Sequence, residues 1–277
     1  MSKPISLVLD PYDRGARLYP ALIALFPALV ALAILVPHFL GRDLLTAMLS
    51  LLTGCGLLVL VTHLARDAGK AKEPGWYLMQ GGKPSVAMLR HRDGRLTKED
   101  KARYHRFLTG RASETPLPSR EAEVMNPTAA DATYAAAASW LLAQTRDKAR
   151  FDLLFRRNID YGFRRNLTAL RGLALWVDGM IAFGLLGMIA GTYFAVLPAN
   201  GMPATSSMVA IVIIGLAHAA LVWRVLRPVW VAAAAEDYAR QLLAACDVLG
   251  PIGGTAASTS PRAGAKKRVS KERVGRS

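Results

Sequence analysis

Two ionisable residues stand in stretches that otherwise carry no charge: Asp178 within LALWVDGMIAFG and His218 within IIGLAHAALVW. A carboxylate facing an imidazole makes a proton-sensitive pair, because the ring changes charge near neutral pH and an ionisable group at membrane depth is a functional candidate by default. At a rise of about 1.5 Å per residue, Asp178 lies about 10 Å into its apolar run, counted from Gly172. His218 lies about as far from Arg224, at the end of the next run. Antiparallel neighbouring helices would bring the two side chains to one depth. The competing reading places Asp178 at the headgroup boundary and gives His218 an ordinary hydrogen bond to a neighbouring helix.

A second cluster, Arg90, His91, Arg92 and Arg95 around Asp93, has the composition of an anion or partner site, but reads first as a salt-bridged turn. Further arginines, Arg156, Arg157, Arg164, Arg165 and Arg171, share one face of a downstream helix. The triplet His91-Arg92-Asp93 matches the start of the protein-kinase catalytic loop. Lys98 stands where the metal-binding Asn belongs, and neither a Gly-rich loop nor a strand Lys accompanies it. There is no Walker loop, dinucleotide fingerprint, nucleophile elbow or zincin motif, so no catalytic residue is expected. Cys55 and Cys246 lie far apart and form no CxxC spacing, which argues against both a disulfide framework and a zinc site. Neither a metal nor a cofactor is expected.

The elements that must carry these residues follow from the segregation of charge. Of the 277 residues, 52% are hydrophobic, yet 35 Lys and Arg face only 20 Asp and Glu. Four windows are long and apolar enough to span a bilayer, which takes about 20 residues as a helix. They run over 19–40, with Pro27 at its centre as a kink, and over 44–64, 173–197 and 206–225. The turn at 41–43 and the segment PANGMPAT pair them into two hairpins. The first window is longer than a signal-peptide core and is followed at once by another span, so it reads as an uncleaved anchor.

Orientation follows from the basic residues outside the spans. Residues 65–172 hold 21 Lys and Arg against 12 Asp and Glu, residues 226–277 hold nine against four, and the two hairpin turns carry a single Arg. The positive-inside rule then puts both termini and the central region in the cytoplasm. Gly184, Gly187 and Gly191 make a small-residue strip on the third span, suited to close helix packing against the fourth span or, alternatively, to a dimer seam.

Within the cytoplasmic part, Val86 to Leu89 is a short apolar element, and Thr97 with Asp100 starts a helix over Lys98 to Leu108. Arg111 to Pro127 reads as an exposed linker. Ala129 to Thr145 is an alanine-rich helix. From Lys148 onward, Phe151, Leu154, Phe155, Ile159, Phe163, Leu167 and Leu170 recur at helical spacing, with Gly162 as a site for a bend. Val231, Ala235, Tyr238, Leu242, Cys246 and Leu249 mark a final amphipathic helix. The expected organisation is a cytoplasmic N-terminal segment (1–18), a first transmembrane hairpin (19–64), a basic cytoplasmic helical domain (65–172), a second hairpin (173–225), a cytoplasmic amphipathic helix (226–251) and a disordered basic tail (252–277). The fold class is an all-α membrane protein with four transmembrane helices.

Three blocks, DPYDRGARLYP, GGKPSVAMLRHRDGRLTKEDKARYHRFL and FDLLFRRNIDYGFRRNLTALR, resemble those of a family of uncharacterised bacterial multi-span inner-membrane proteins. The resemblance covers the N-terminal region and most of the central domain, and it implies a bacterial inner-membrane setting without adding chemistry. A weaker likeness is to membrane effectors of antiphage systems. Three functions are weighed. The first is a non-enzymatic membrane protein whose cytoplasmic domain senses or binds a protein partner and whose spans carry the response, for instance as a membrane-permeabilising defence effector. The second is a small transporter or channel using Asp178 and His218, a homo-oligomer if it forms a pore. The third is a membrane-tethered binder of nucleic acid. Anionic lipid headgroups are the expected partners of the basic segments.

Overall fold

The computed structural model describes residues 10–39, 43–112, 116–194, 196–197 and 202–250. Among the described residues every regular element is a helix. The basic tail lies outside them, as do residues 41–42 of the first hairpin turn and 198–201 of the second.

Helix α1, Pro11–Ala24, opens with Asp10 accepting from the Tyr12 amide at 2.8 Å and contains one π-helical segment, Arg14–Leu18. The chain breaks at Leu25 and continues as α2, Phe26–Phe39, the two axes being bent by 57°. Pro27 supplies the physical reason, since a proline has no N–H to return to the carbonyl four residues earlier and its ring crowds that turn. Helix α3, Leu44–Met79, is 36 residues long and does not stop at the end of its apolar stretch. Its charged half stays helical because Ala65, Gly69 and Trp76 form a buried face there.

A short α4, Pro84–Ala87, leads into the loop carrying residues 88–97. Helix α5, Lys98–Thr109, begins at Thr97, whose hydroxyl accepts from the Asp100 amide at 3.0 Å. The segment expected to be an exposed linker contains α6, Arg120–Met125, capped by Ser119, and it buries Leu117 and Glu123. Helix α7, Pro127–Gln144, combines an Asn126 cap with proline at its first position, a favoured helix start. Helices α8, Asp152–Ala169, and α9, Arg171–Tyr193, are separated by Leu170 alone. Helices α10, Thr205–Val225, and α11, Pro228–Leu249, are separated by two residues.

Three helices are long and apolar enough to cross a membrane, or four if the bent α1–α2 pair is one span. They expose large apolar side chains such as Leu51, Leu52 and Phe183, each at least 70% accessible. That surface is compatible with a helical membrane protein, because lipid tails make no demand to hide it. The polar half has its own core, in which Met88, Leu89, Leu108, Tyr134, Leu141 and Leu243 are almost completely buried. Helix α8 is central rather than peripheral and packs against α1, α3 and α11. Gly162 therefore serves close approach and not a bend: a Cβ there would lie 2.8 Å from the Ala16 Cβ.

Candidate functional site

In the apolar half, α9 and α10 pack side by side and bring Asp178 and His218 together. Nδ1 of the ring lies 2.8 Å from Asp178 Oδ2, and both residues are buried. Nε2 lies 2.9 Å from the Ile23 carbonyl oxygen. Ile23 precedes Pro27 by four residues, so the carbonyl deprived of its helical donor is met by the ring. Neighbouring side chains are a recognised way to satisfy backbone freed by proline in an apolar helix.

This geometry restricts where protons can be. A carbonyl oxygen only accepts, so Nε2 carries a hydrogen. Nδ1 then either donates to an ionised Asp178 or accepts from a protonated one. Both arrangements hold the same single shared proton and are neutral as a pair. Asp178 Oδ1 is buried with no hydrogen-bond partner among the described residues.

Where α3 enters the polar half, a second, partly buried network joins three helices. Glu73 accepts hydrogen bonds from Tyr77 at 2.7 Å and from Tyr161, and Arg165 approaches it at 3.4 Å. Burial pushes the Glu73 carboxyl up, but the two phenols and the Arg165 guanidinium outweigh it and hold the group below its usual range. Burial and the adjoining carboxylate raise both tyrosines. Arg165 donates to Asn166 at 3.1 Å, and Asn166 donates to the Ala16 carbonyl at 2.6 Å. Gly69 leaves room for the Asn166 amide. Arg165 was expected on the exposed face with Arg156, Arg157 and Arg164, but it is buried. The reason is that α8 is covered on several sides, so its arginine face is not one continuous surface.

The remaining arginines of α8 are engaged near the surface. Arg156 pairs with Asp152 at 2.9 Å, Arg157 with Asp237 at 3.7 Å and Arg164 with Asp160 at 3.0 Å. Arg164 also lies over the Trp230 ring, and Arg171 over the Trp223 ring at 4.5 Å.

The loop cluster separates into structural and open members. Arg90 makes a two-point contact with Asp131 at 2.7 and 2.8 Å and also donates to the Gly81 carbonyl. Arg95 engages Asp93 and reaches Glu236 at 3.2 Å. His91 Nε2 donates to the Pro118 carbonyl at 3.0 Å and His105 Nε2 to that of Leu89 at 2.7 Å. The ammonium of Lys101 is directed at the carbonyls of Arg90, His91 and Asp93, and burial lowers its pKa. Arg92 alone of the expected cluster has a largely exposed side chain, 3.8 Å from Glu123.

Glu123 was hidden from sequence reasoning by its charged neighbours. It is buried, accepts from the His91 amide at 2.7 Å and from the Tyr134 hydroxyl at 3.0 Å, and anchors the loop from beneath. The glycine strip does not pack as expected within the chain. Nothing lies within 4 Å of a Cβ built on Gly184 or Gly187, whereas one on Gly191 would meet Leu197. Gly184 and Gly187 are both exposed.

Cys246 is buried and its thiol is pushed up to about 12 by that burial, while Cys55 is exposed; both are free. Among the described residues no group of three or more His, Cys, Asp or Glu side chains could hold a metal. Neither a family model, nor a curated protein, nor a solved structure matches the chain.

Proposed function

We propose that the protein is a non-enzymatic signal-coupling protein of a bacterial inner membrane, in which a cytoplasmic helical domain receives an input and the apolar helices carry the response. The observation that carries this reading is the unbroken helix Leu44–Met79, which belongs to the apolar bundle at one end and to the Glu73 network at the other. A continuous helix held by a partly buried polar network transmits a tilt or rotation that a flexible linker would absorb. The one-residue and two-residue breaks at Leu170 and at 226–227 make the other two connections similarly short.

Four passes as two hairpins, with both termini cytoplasmic, accord with the basic excess of residues 65–172 and with the Arg171–Trp223 and Arg164–Trp230 pairs. Such pairs suit a membrane-water boundary. A membrane-permeabilising defence effector is one concrete form of the response. In a second reading, a small transporter or channel, Asp178 and His218 act directly on a passing proton. The unpartnered Asp178 Oδ1 favours it.

Induced expression in a bacterium with a membrane-potential dye tests the coupling. Wild type is expected to depolarise the cells. A Glu73→Ala/Arg165→Ala variant that still assembles in the membrane is expected not to. Equal depolarisation by both overturns the coupling reading. Proton flux into vesicles that needs Asp178 but is indifferent to Glu73 would establish the second reading in its place.

A further inference from the structure

We propose that the cleft between the loop at residues 91–98 and the start of α6 binds a soluble phosphate-bearing small molecule of about nucleotide size. The cleft encloses about 630 Å³ and is lined by Arg92, Lys98 and Arg120, with His91, His105 and Thr97 between them. Small-molecule sites fall between about 300 and 1,000 Å³.

The charge balance around it is one-sided. Asp93 also lines the cleft, but Arg95 engages both of its carboxylate oxygens. Glu123 lies beneath, its carboxylate taken by the His91 amide and the Tyr134 hydroxyl. Lys101 builds the wall by holding three carbonyls and contributes little to the open surface. That leaves Arg92, Lys98 and Arg120 exposed; Arg92 has only its 3.8 Å approach to Glu123, and Lys98 and Arg120 have no ion pair among the described residues. Exposed carboxylates adjoin two of them in the chain, Glu99 after Lys98 and Glu121 after Arg120. Three cations lining one concave surface focus positive potential, which suits an anion with several oxygens. The α5 start at Lys98 on the rim adds potential of the same sign, offset in part by Glu99 in its first turn, while Asp100 is paired with Arg103.

The same chemistry could be offered by a lipid headgroup, but the geometry favours a soluble source. Met79 lies fifteen helical steps beyond Leu64, the last of the apolar run, which carries the chain on the order of 22 Å onward. Arg90 ties the loop to Gly81 at that far end of α3.

The site would be the input of the coupling proposed above, and only its consequence, not its binding, rests on that reading. Isothermal titration of the full-length protein in detergent with inorganic pyrophosphate and with ATP tests it directly. Both probes are expected to bind, more weakly as salt rises from about 50 to 300 mM. Lys98→Gln/Arg120→Gln is expected to weaken binding by about tenfold or more, from the loss of two charge-assisted contacts. Arg156→Gln/Arg157→Gln, which removes equal charge elsewhere, should leave it within about twofold. The proposal is overturned if neither probe binds at millimolar concentration, if the cleft variant binds like wild type, or if the control variant weakens binding as much. A fourth test uses lipid discs: loss of pyrophosphate binding in phosphatidylglycerol discs but not in phosphatidylcholine discs would assign the cleft to headgroups and refute the soluble ligand. Binding without any change in membrane potential would leave the site standing and remove the coupling.

Discussion

Glu123→Ala should loosen the cytoplasmic domain far more than its position in a charged, polar segment suggests. The carboxylate is 3% exposed and satisfies the His91 amide at 2.7 Å and the hydroxyl of Tyr134, which has no exposed surface at all. Truncation leaves one buried donor, the Tyr134 hydroxyl, and one half-buried donor, the His91 amide, without acceptors. Hydrogen bonds to a charged group contribute roughly 1.5 to 3 kcal/mol each, and an orphaned buried donor costs about 1 to 3 kcal/mol. Because these overlap, we expect a loss of about 3 to 4 kcal/mol. Glu123→Gln keeps one acceptor and the shape, and should lose about half as much. Arg92→Ala removes only a half-exposed ion pair and should fall within about 0.5 kcal/mol of wild type. Hydrogen exchange read by mass spectrometry on peptides covering 84–109 and 120–141 measures these openings locally. At about 1.4 kcal/mol per tenfold, Glu123→Ala should speed exchange there by roughly two to three orders of magnitude. Exchange within threefold of wild type would refute the anchoring role and return Glu123 to the exposed linker.

The tight crossing of α1 and α8 predicts that Gly162→Ala, which puts a methyl 2.8 Å from Ala16 Cβ, destabilises the protein by about 1 to 3 kcal/mol in thermal unfolding. The same change at Gly184 or Gly187, where nothing lies within 4 Å, should leave the melting of the single chain unchanged. Asn166→Ala should lower stability by about 1 to 3 kcal/mol, because it strips the Ala16 carbonyl of a donor and Arg165 of an acceptor; protection of peptide 11–24 from exchange reads this out. Acid should weaken the domain in two stages. Burial holds His105 below its usual 6.5, and hydrogen bonds hold Glu73 and Glu123 below their usual 4.5 against the opposing effect of burial. Each binds fewer protons folded than unfolded, so its stabilisation is present above the unfolded value and fades as pH falls, first below about 6.5 for the ring and then below about 4.5 for the carboxylates. Unfolding temperatures that rise from pH 7 to pH 4 would contradict this.

Much of the local structure was legible. The Thr97 start of α5 reads directly from a hydroxyl three residues before an amide it can satisfy, and the buried face of α11 reads from its apolar spacing. Counting residues along two apolar runs was enough to place Asp178 and His218 at one depth, because helical rise is constant. The Ile23 carbonyl was not legible as their third member, although Pro27 announced that some carbonyl four residues earlier would need a donor. Which donor comes depends on how α1 and α10 cross, and that is a long-range fact.

Glu123 and Arg165 show the same limit from the other side. Each sits among charged neighbours, and composition assigns such neighbourhoods to solvent. What buried them is the number of elements meeting at their positions: α8 against α1, α3 and α11 for Arg165, and α6 folded under the loop for Glu123. The sequence by itself determined the apolar helices, the start of α5 and the basic excess, because these depend on spacing and composition within one segment. Only the tertiary structure decided which charges are spent on internal partners and which face the cleft, because a partner is supplied by another part of the chain.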